Sequence, residues 1–326
     1  MLRTIRILCA FVLLSAAWPV PAVEAAKIKI GVLKFGTVNW ELDVIAHHGL
    51  DRAEGIELEV LKMANKQATA VAFQGRSVDM IVTDWIWVSR QRAEGADYTF
   101  VPYSATVGAL VVPADPAIKT LADLRGKRLG IAGGPVDKSW LLLRALARKK
   151  HGFDLDGEVE KVFGAPPLLN EQIKLGRIDA VITFWHYVAR LEAAGMRRLI
   201  DVNEAARELG IESEVPLLGY VFSEAWGEAH RDEVLAFVRA SRKAKEIMRQ
   251  SDAEWERLKP LTKAEDMATL IALRDGFRAG IPDKWGEAEQ RDARRMFGIL
   301  SELGGSKLIG ASQELQAGTF WPAVTF

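Results

Sequence analysis

The sequence predicts an α/β protein of two similar lobes, each a mixed, mostly parallel sheet flanked by helices, with a ligand cleft between them. Three observations carry this reading. First, Gly75-Arg76-Ser77-Val78-Asp79-Met80-Ile81-Val82-Thr83-Asp84-Trp85 is echoed by Gly176-Arg177-Ile178-Asp179-Ala180-Val181-Ile182-Thr183-Phe184-Trp185. Each copy reads as a helix stop, a tight turn, an Asp, a short apolar run and a Trp where the strand ends. Second, continuous apolar runs mark buried parallel strands, and ligands of open α/β sheets sit beyond the carboxyl ends of such strands. Third, 326 residues are too many for one simple core and suit two α/β lobes.

The elements follow in order. Residues 27–33 alternate Lys and Ile and open as a strand, and a loop at 34–39 leads into a helix over 40–53. A strand at 56–61, a helix at 66–73 and the first repeat strand come next. A helix at 88–94 stops at Gly95, and strands follow at 99–103 and 108–112. Pro113-Ala114-Asp115-Pro116 marks a turn, placed at the first crossing between lobes. A short helix closed by Gly126 precedes a strand at 128–132, and Gly133-Gly134-Pro135 forms an elbow feeding a helix at 140–149. Such an elbow presents free backbone N–H groups to a ligand. A strand at 159–163, a helix at 167–175, the second repeat strand, a helix at 188–194 and a strand at 198–201 complete the second lobe. Residues 217–222 carry the chain back. The remainder is helical: Val234, Phe237, Val238, Ser241, Ala244, Ile247 and Met248 recur at helical spacing. Thr262 and Glu265 fit a capping box, and Met296, Phe297, Leu300 and Leu303 form a last apolar stripe before Gly304-Gly305. The basic residues of 144–150 read as a solvated helix face.

The 43 basic and 43 acidic residues cancel, which argues against a nucleic-acid surface. Arg3 and Arg6, the apolar stretch 7–18, the Pro19-Val20-Pro21 break and the small-residue pattern at Val23-Glu24-Ala25 read as an export leader over residues 1–25. Cleavage is expected after Ala25 or Ala26, releasing a soluble protein into the periplasm; an uncleaved anchor is the alternative. Cys9, the only cysteine, lies in the leader. The mature chain is then expected to carry no disulfide, Cys-ligated metal or Cys nucleophile.

Several blocks fall in one order: Ile28-Lys29-Ile30-Gly31-Val32, His48-Gly49-Leu50-Asp51-Arg52-Ala53-Glu54-Gly55-Ile56-Glu57-Leu58-Glu59-Val60, Phe73-Gln74-Gly75-Arg76, Ile118-Lys119-Thr120-Leu121-Ala122-Asp123-Leu124-Arg125-Gly126-Lys127, Leu141-Leu142-Leu143-Arg144-Ala145-Leu146 and Gly176-Arg177-Ile178-Asp179-Ala180. Over residues 27–250 the chain resembles the periplasmic substrate-binding proteins of ABC importers in the nitrate/sulfonate/taurine and thiamine-precursor (NMT1-like) group. The resemblance implies a type II periplasmic-binding-protein fold. Lobe 1 would comprise 27–108 plus 220–326, and lobe 2 would comprise 109–219. It also implies closure on a small solute, docking on membrane permease subunits, and a monomer. Ligand contacts are implied at Asn39 and Trp40, at Thr83, Asp84 and Trp85, at Gly134, Asp137, Ser139 and Trp140, and at Trp185, His186 and Tyr187. The elbow departs from sulfonate binders, which carry small hydroxyl residues there. Here Asp137 stands where an anion would sit, or serves as an N-cap.

From the residues themselves the candidate cleft wall is Trp40, Asp43, Asp84, Trp85, Asp137, Trp140, Trp185, His186 and Tyr187. Indole faces attract cations and stack on planar rings, and carboxylates in a partly dry cleft hold cationic or N–H-rich groups. This chemistry points to a planar nitrogen-containing or cationic solute. Each Trp has an alternative as plain core, and Asp84 as the N-cap of the following helix. Trp226, Trp255, Trp285 and Trp321 read as packing. His47 and His48 read as a helix end near solvent. No Gly-x-Ser-x-Gly, His-Glu-x-x-His, P-loop or dinucleotide fingerprint occurs, and no cofactor or metal is expected. The expected function is solute capture for import. The alternative is a periplasmic lyase or dehydratase using His186 with Asp84 or Asp137 as an acid/base pair.

Overall fold

A computed structural model describes residues 25–114 and 117–326. The expected leader, Cys9 included, lies outside these residues apart from its last alanine, as do residues 115–116 of the expected turn. The chain begins with β1 (Ala26–Leu33), α1 (Val38–His47), α2 (Leu50–Ala53), β2 (Ile56–Met63), α3 (Lys66–Gln74), β3 (Met80–Asp84), α4 (Trp85–Ala93) and β4 (Tyr98–Ser104). It crosses to β5 (Gly108–Val112), a 3-10 turn (Leu121–Leu124), β6 (Arg128–Ala132), α5 (Lys138–His151), α6 (Leu155–Glu158), β7 (Glu160–Gly164), α7 (Pro166–Lys174), β8 (Ala180–Phe184), α8 (Trp185–Ala193), β9 (Arg197–Asp201) and α9 (Val202–Glu208). It returns as β10 (Leu218–Ser223) and ends in α10 (Glu224–Ala229), α11 (Arg231–Gln250), α12 (Asp252–Thr262), α13 (Met267–Ala279) and α14 (Glu287–Ile309).

Ten strands make two five-stranded sheets, ordered β2-β1-β3-β10-β4 and β7-β6-β8-β5-β9. The order is the same in both. In each sheet four strands run parallel, and the one antiparallel strand, fourth in the order, is the strand that has just crossed over. Parallel strands need helical crossovers on the sheet faces, which explains the β–α alternation.

The repeated segment has a structural cause. The Asp79 carboxylate accepts from Lys29 N (2.7 Å) and Asp79 N donates to Lys29 O (2.8 Å). Asp179 does the same with Arg128, at 2.8 and 2.9 Å. Each Asp therefore staples its strand to the parallel neighbour, β1 for Asp79 and β6 for Asp179. Aligned on these residues, the two copies are out of step at Gly-Arg. The left-handed position closing the preceding helix lies three residues before the Asp. It is Gly176 (φ 66) in one copy and Arg76 (φ 55) in the other. Both helices close alike: Ser77 N donates to Ala72 O and Arg177 N to Gln172 O, at 2.8 and 2.9 Å, the longer-range bond of a Schellman stop.

Three local expectations change. The helix expected over 40–53 is broken at Gly49 (φ 61) into α1 and α2. The helix after Thr262 is capped by Asp266, which accepts from Thr269 N at 2.7 Å. Thr262 instead ends α12, because Lys263 turns left-handed (φ 56). The last apolar stripe lies on α14, which continues past Gly304 and kinks at Gly305.

The C-terminal helices do not keep to the first sheet. Helix α13 packs along α8, and α14 packs against both α4 and α5. One continuous core joins Ile81 and Val221 of the first sheet, Leu110 and Ile131 of the second, and Phe297 and Leu300 of α14. On the other side, α1 is held by a buried polar knot. Glu41 accepts from Tyr220 (2.7 Å) and Ser241 (2.6 Å) and pairs with Lys245 at 2.7 Å. Among the described residues no helix is long and apolar enough to cross a membrane.

Candidate functional site

The carboxyl ends of β1, β3, β6 and β8 point inward, and α1, α4, α5 and α8 start where they end. Between the two sheets lies a cavity of about 170 Å³. The first half contributes Leu33, Thr37, Lys66, Thr83, Asp84 and Tyr103; the second contributes Asp137, Lys138, Ser139, Phe184, Trp185 and His186. Most of the remaining wall is aliphatic, including Val38, Val82, Val107 and Leu217.

Two of the strand–helix junctions are closed by carboxylates. Asp84 caps α4 by accepting from Trp87 N at 3.0 Å, and Asp137 caps α5 by accepting from Trp140 N at 3.1 Å. Capping satisfies an N–H that would otherwise face the cavity. Gly133 (φ 88) lets the elbow pass close to Asp137; a Cβ there would stand 2.6 Å from Oδ2.

The charges cross the cleft. Lys138 Nζ donates to Asp84 Oδ2 at 2.8 Å, linking the start of α5 to the end of β3. Burial alone would raise Asp84, but the Lys138 and Lys66 ammoniums and the Trp87 N–H hold it below the usual carboxylate range. Burial opposes the charge on Lys138 too, yet Asp84 lifts its pKa above the ordinary value. Asp137 is raised by burial, with only partial relief from Trp140 N–H, Lys138 and Lys66. Lys66 is exposed as a residue, but protein atoms crowd its charged end. That desolvation, with repulsion from Lys138 second, lowers its pKa. His186 is held neutral, its pKa lowered to about 3 by burial and then by Arg190. Its Nδ1 is enclosed and has no hydrogen-bond partner among the described residues.

Of the expected site residues, Thr83, Asp84, Asp137, Ser139, Trp185 and His186 line this cavity. The others lie elsewhere. Trp85 is wholly buried against Phe297 and Phe320. Trp140 is likewise core. Trp40 sits behind the wall, edge-on to Trp185 at 5.9 Å and to Trp255 at 5.9 Å. Asn39 spends its amide on Leu33 O (2.8 Å) and Gly36 O (2.7 Å), fixing the loop before α1. Asp43 pairs with Arg257 at 2.6 Å. The Tyr187 ring lies tilted at 47° against His186, and Gly134 forms the elbow; neither borders the cavity. Sequence reasoning missed Lys66, Tyr103 and the weight of Lys138. A signal for Lys138 was present, since it adjoins Asp137 at the elbow; Lys66 opens a helix like any solvated lysine.

Two mixed sheets of one strand order, with a cavity between their facing ends, define the type II periplasmic-binding-protein class. Residues 44–254 match the NMT1/THI5-like family model, and the chain belongs to that family. It is similar to the periplasmic aliphatic sulphonate-binding protein SsuA of Escherichia coli (TM-score 0.71, 18% identity, 91% of this chain and 97% of that one). It is also similar to the alkanesulfonate-binding SsuA of Xanthomonas axonopodis pv. citri bound to MOPS (TM-score 0.68, 18% identity, covering 92% and 99%). The periplasmic nitrate-binding protein NrtA of Synechocystis PCC 6803 matches at TM-score 0.53 and 13% identity, over 72% of this chain and 66% of that one. Comparison with curated proteins found no match.

Proposed function

We propose that this chain is the solute-capturing component of an ABC importer. In this reading it closes two lobes, 27–108 with 220–326 and 109–219, around one small molecule and hands it to permease subunits. The family and the folds of the sulfonate- and nitrate-binding proteins support the role. In this reading an export leader, cleaved near Ala25 or Ala26, delivers it to the periplasm, where it works as a monomer. The closed state is favoured because only that state completes the contacts from both halves.

One observation carries the choice of solute. Each half supplies one lysine and one aspartate to the cavity: Lys66 and Asp84 from the first, Lys138 and Asp137 from the second. The four charges cancel, and His186 adds none. A guest with net charge of either sign would leave an uncompensated charge in a largely apolar chamber, which is costly. The solute is therefore net neutral, a planar nitrogen heterocycle or a zwitterion. The cationic guest suggested by the carboxylates alone is disfavoured, because both have lysine neighbours.

Native mass spectrometry of the gently purified, exported protein tests this. A single bound small molecule of zero net charge at neutral pH is the expected result. A bound solute with net charge of one sign refutes the class. Intact mass of the same sample checks the cleavage point. A lyase or dehydratase reading requires turnover of that solute, lost in His186→Ala. It has weaker support, because Asp84 is engaged by Lys138 and a pKa near 3 makes His186 a poor base.

A further inference from the structure

Trp185, a large aromatic wall of the cavity, also borders a second one. Its other side borders a second space of about 490 Å³ between α13 and the β5–β9 edge. A ring between two voids needs a support. Three groups provide it: Trp40, edge-on at 5.9 Å; Phe277, at 6.4 Å and 60°; and the backbone of Gly276 on α13. A Cβ at position 276 would lie 2.8 Å from Trp185 Cε3 and 2.9 Å from Cζ3, closer than real side-chain carbons come. Helix α13 is also pinned at the crossing segment. Thr106 Oγ1 donates to Gly276 O (3.3 Å), and Ala105 N donates to Gly280 O (2.9 Å). The seat under the indole is thus fixed to the segment that joins β4 to β5.

We propose that Gly276, which does not line the cavity, is the positioning residue that sets where the Trp185 indole stands in the cavity wall. Any other side chain at 276 pushes the ring off its seat. The consequence for binding rests on the function proposed above; the ring's position does not. In a close-packed wall a displacement of several tenths of an ångström is felt as lost contact over the whole ring face.

The test uses the mature protein labelled with 5-fluorotryptophan, the Trp185 resonance being identified by its loss in Trp185→Phe. In Gly276→Ala the Trp185 fluorine signal is expected to move more than any other. An unmoved signal overturns the inference whatever the binding data. Titration with cytosine, and separately with MOPS, then measures affinity. For whichever probe binds the wild type, Gly276→Ala is expected to weaken binding about tenfold. On the Trp185→Phe background, whose shorter ring leaves room for the methyl, the added change should cost less than about twofold. A moved signal with unchanged affinity, or equal losses on both backgrounds, overturns the positioning role. If neither probe binds the wild type, the solute is neither of these two and the fluorine signal alone decides the seat. Melting temperatures of all three variants identify a Gly276→Ala chain that has merely lost stability, and the double variant is then the folded comparison.

Discussion

Breaking the cross-cleft pair offers the sharpest measurement. Lys138 Nζ and Asp84 Oδ2 are 2.8 Å apart, with side chains 22% and 9% exposed. At an effective dielectric constant near 20, unit charges at that distance attract by about 6 kcal/mol before desolvation is counted. Removing one partner of a buried pair typically costs about 3–5 kcal/mol, because the other charge is stranded. Asp84 would keep the Trp87 N–H and the field of Lys66, so Lys138→Met should cost about 2–4 kcal/mol. Asp84→Asn retains an oxygen for the helix cap and should cost less, about 1–2 kcal/mol. Urea unfolding of wild type, both single variants and the double variant gives the coupling directly. The expected value is about 2 kcal/mol, nearly unchanged by added salt because the pair is enclosed. A coupling below about 0.5 kcal/mol would show that the two groups do not meet across the cleft in solution, and the charge-balance argument for the solute would go with it.

Three further outcomes follow from the geometry. Trp85→Ala should destabilise the fold by about 3–5 kcal/mol, since the indole is fully buried; solute affinity of the folded protein should stay within about threefold, whereas Trp185→Ala should abolish it. Calorimetry and titration of both variants decide this, and a Trp85→Ala protein that folds normally but cannot bind would reverse the assignment. Arg76→Gly should stabilise by about 0.5–1 kcal/mol in urea melts, because only glycine takes a φ of 55° without strain; a loss would mean that Arg76 makes an interaction that outweighs the strain. His186 has its pKa lowered from 6.5 to about 3, so the unfolded chain binds the extra proton between those values. Its contribution is full above about pH 6.5 and is lost as pH falls toward 3, at a cost of a few kcal/mol. His186→Gln should flatten that part of the stability–pH curve, and an unchanged slope would refute burial of the neutral ring.

Much of the architecture could be read from the letters because it rests on local rules. Short apolar runs, glycine stops and the repeated Asp mark strands whose register the Asp79 and Asp179 staples set. The letters misled by one position within the repeat, since Gly75-Arg76 and Gly176-Arg177 look alike while the left-handed turn falls on Arg76 and Gly176. The site was harder. Trp85 and Trp185 share the same local setting, six residues after the stapling Asp and first in their helices. Their fates diverge only because α14 covers one and α13 backs the other, an event decided far along the chain. The carboxylates of Asp84 and Asp137 were visible, but the lysines that neutralise them come from separate elements. No spacing rule brings Lys66 to the opening of the same chamber as Lys138.

The core that runs from both sheets into α14 has a thermodynamic consequence. Halves that merely touched at a seam would melt separately and show two heat-absorption peaks. Here Val221, Leu110 and Leu300 belong to one apolar mass, so neither half keeps its interior when the other comes apart. Heating should give a single peak, with calorimetric and van't Hoff enthalpies in agreement. Any breathing of the chamber must pivot alongside that mass and leave it intact, which limits the swing to rotations that spare α14.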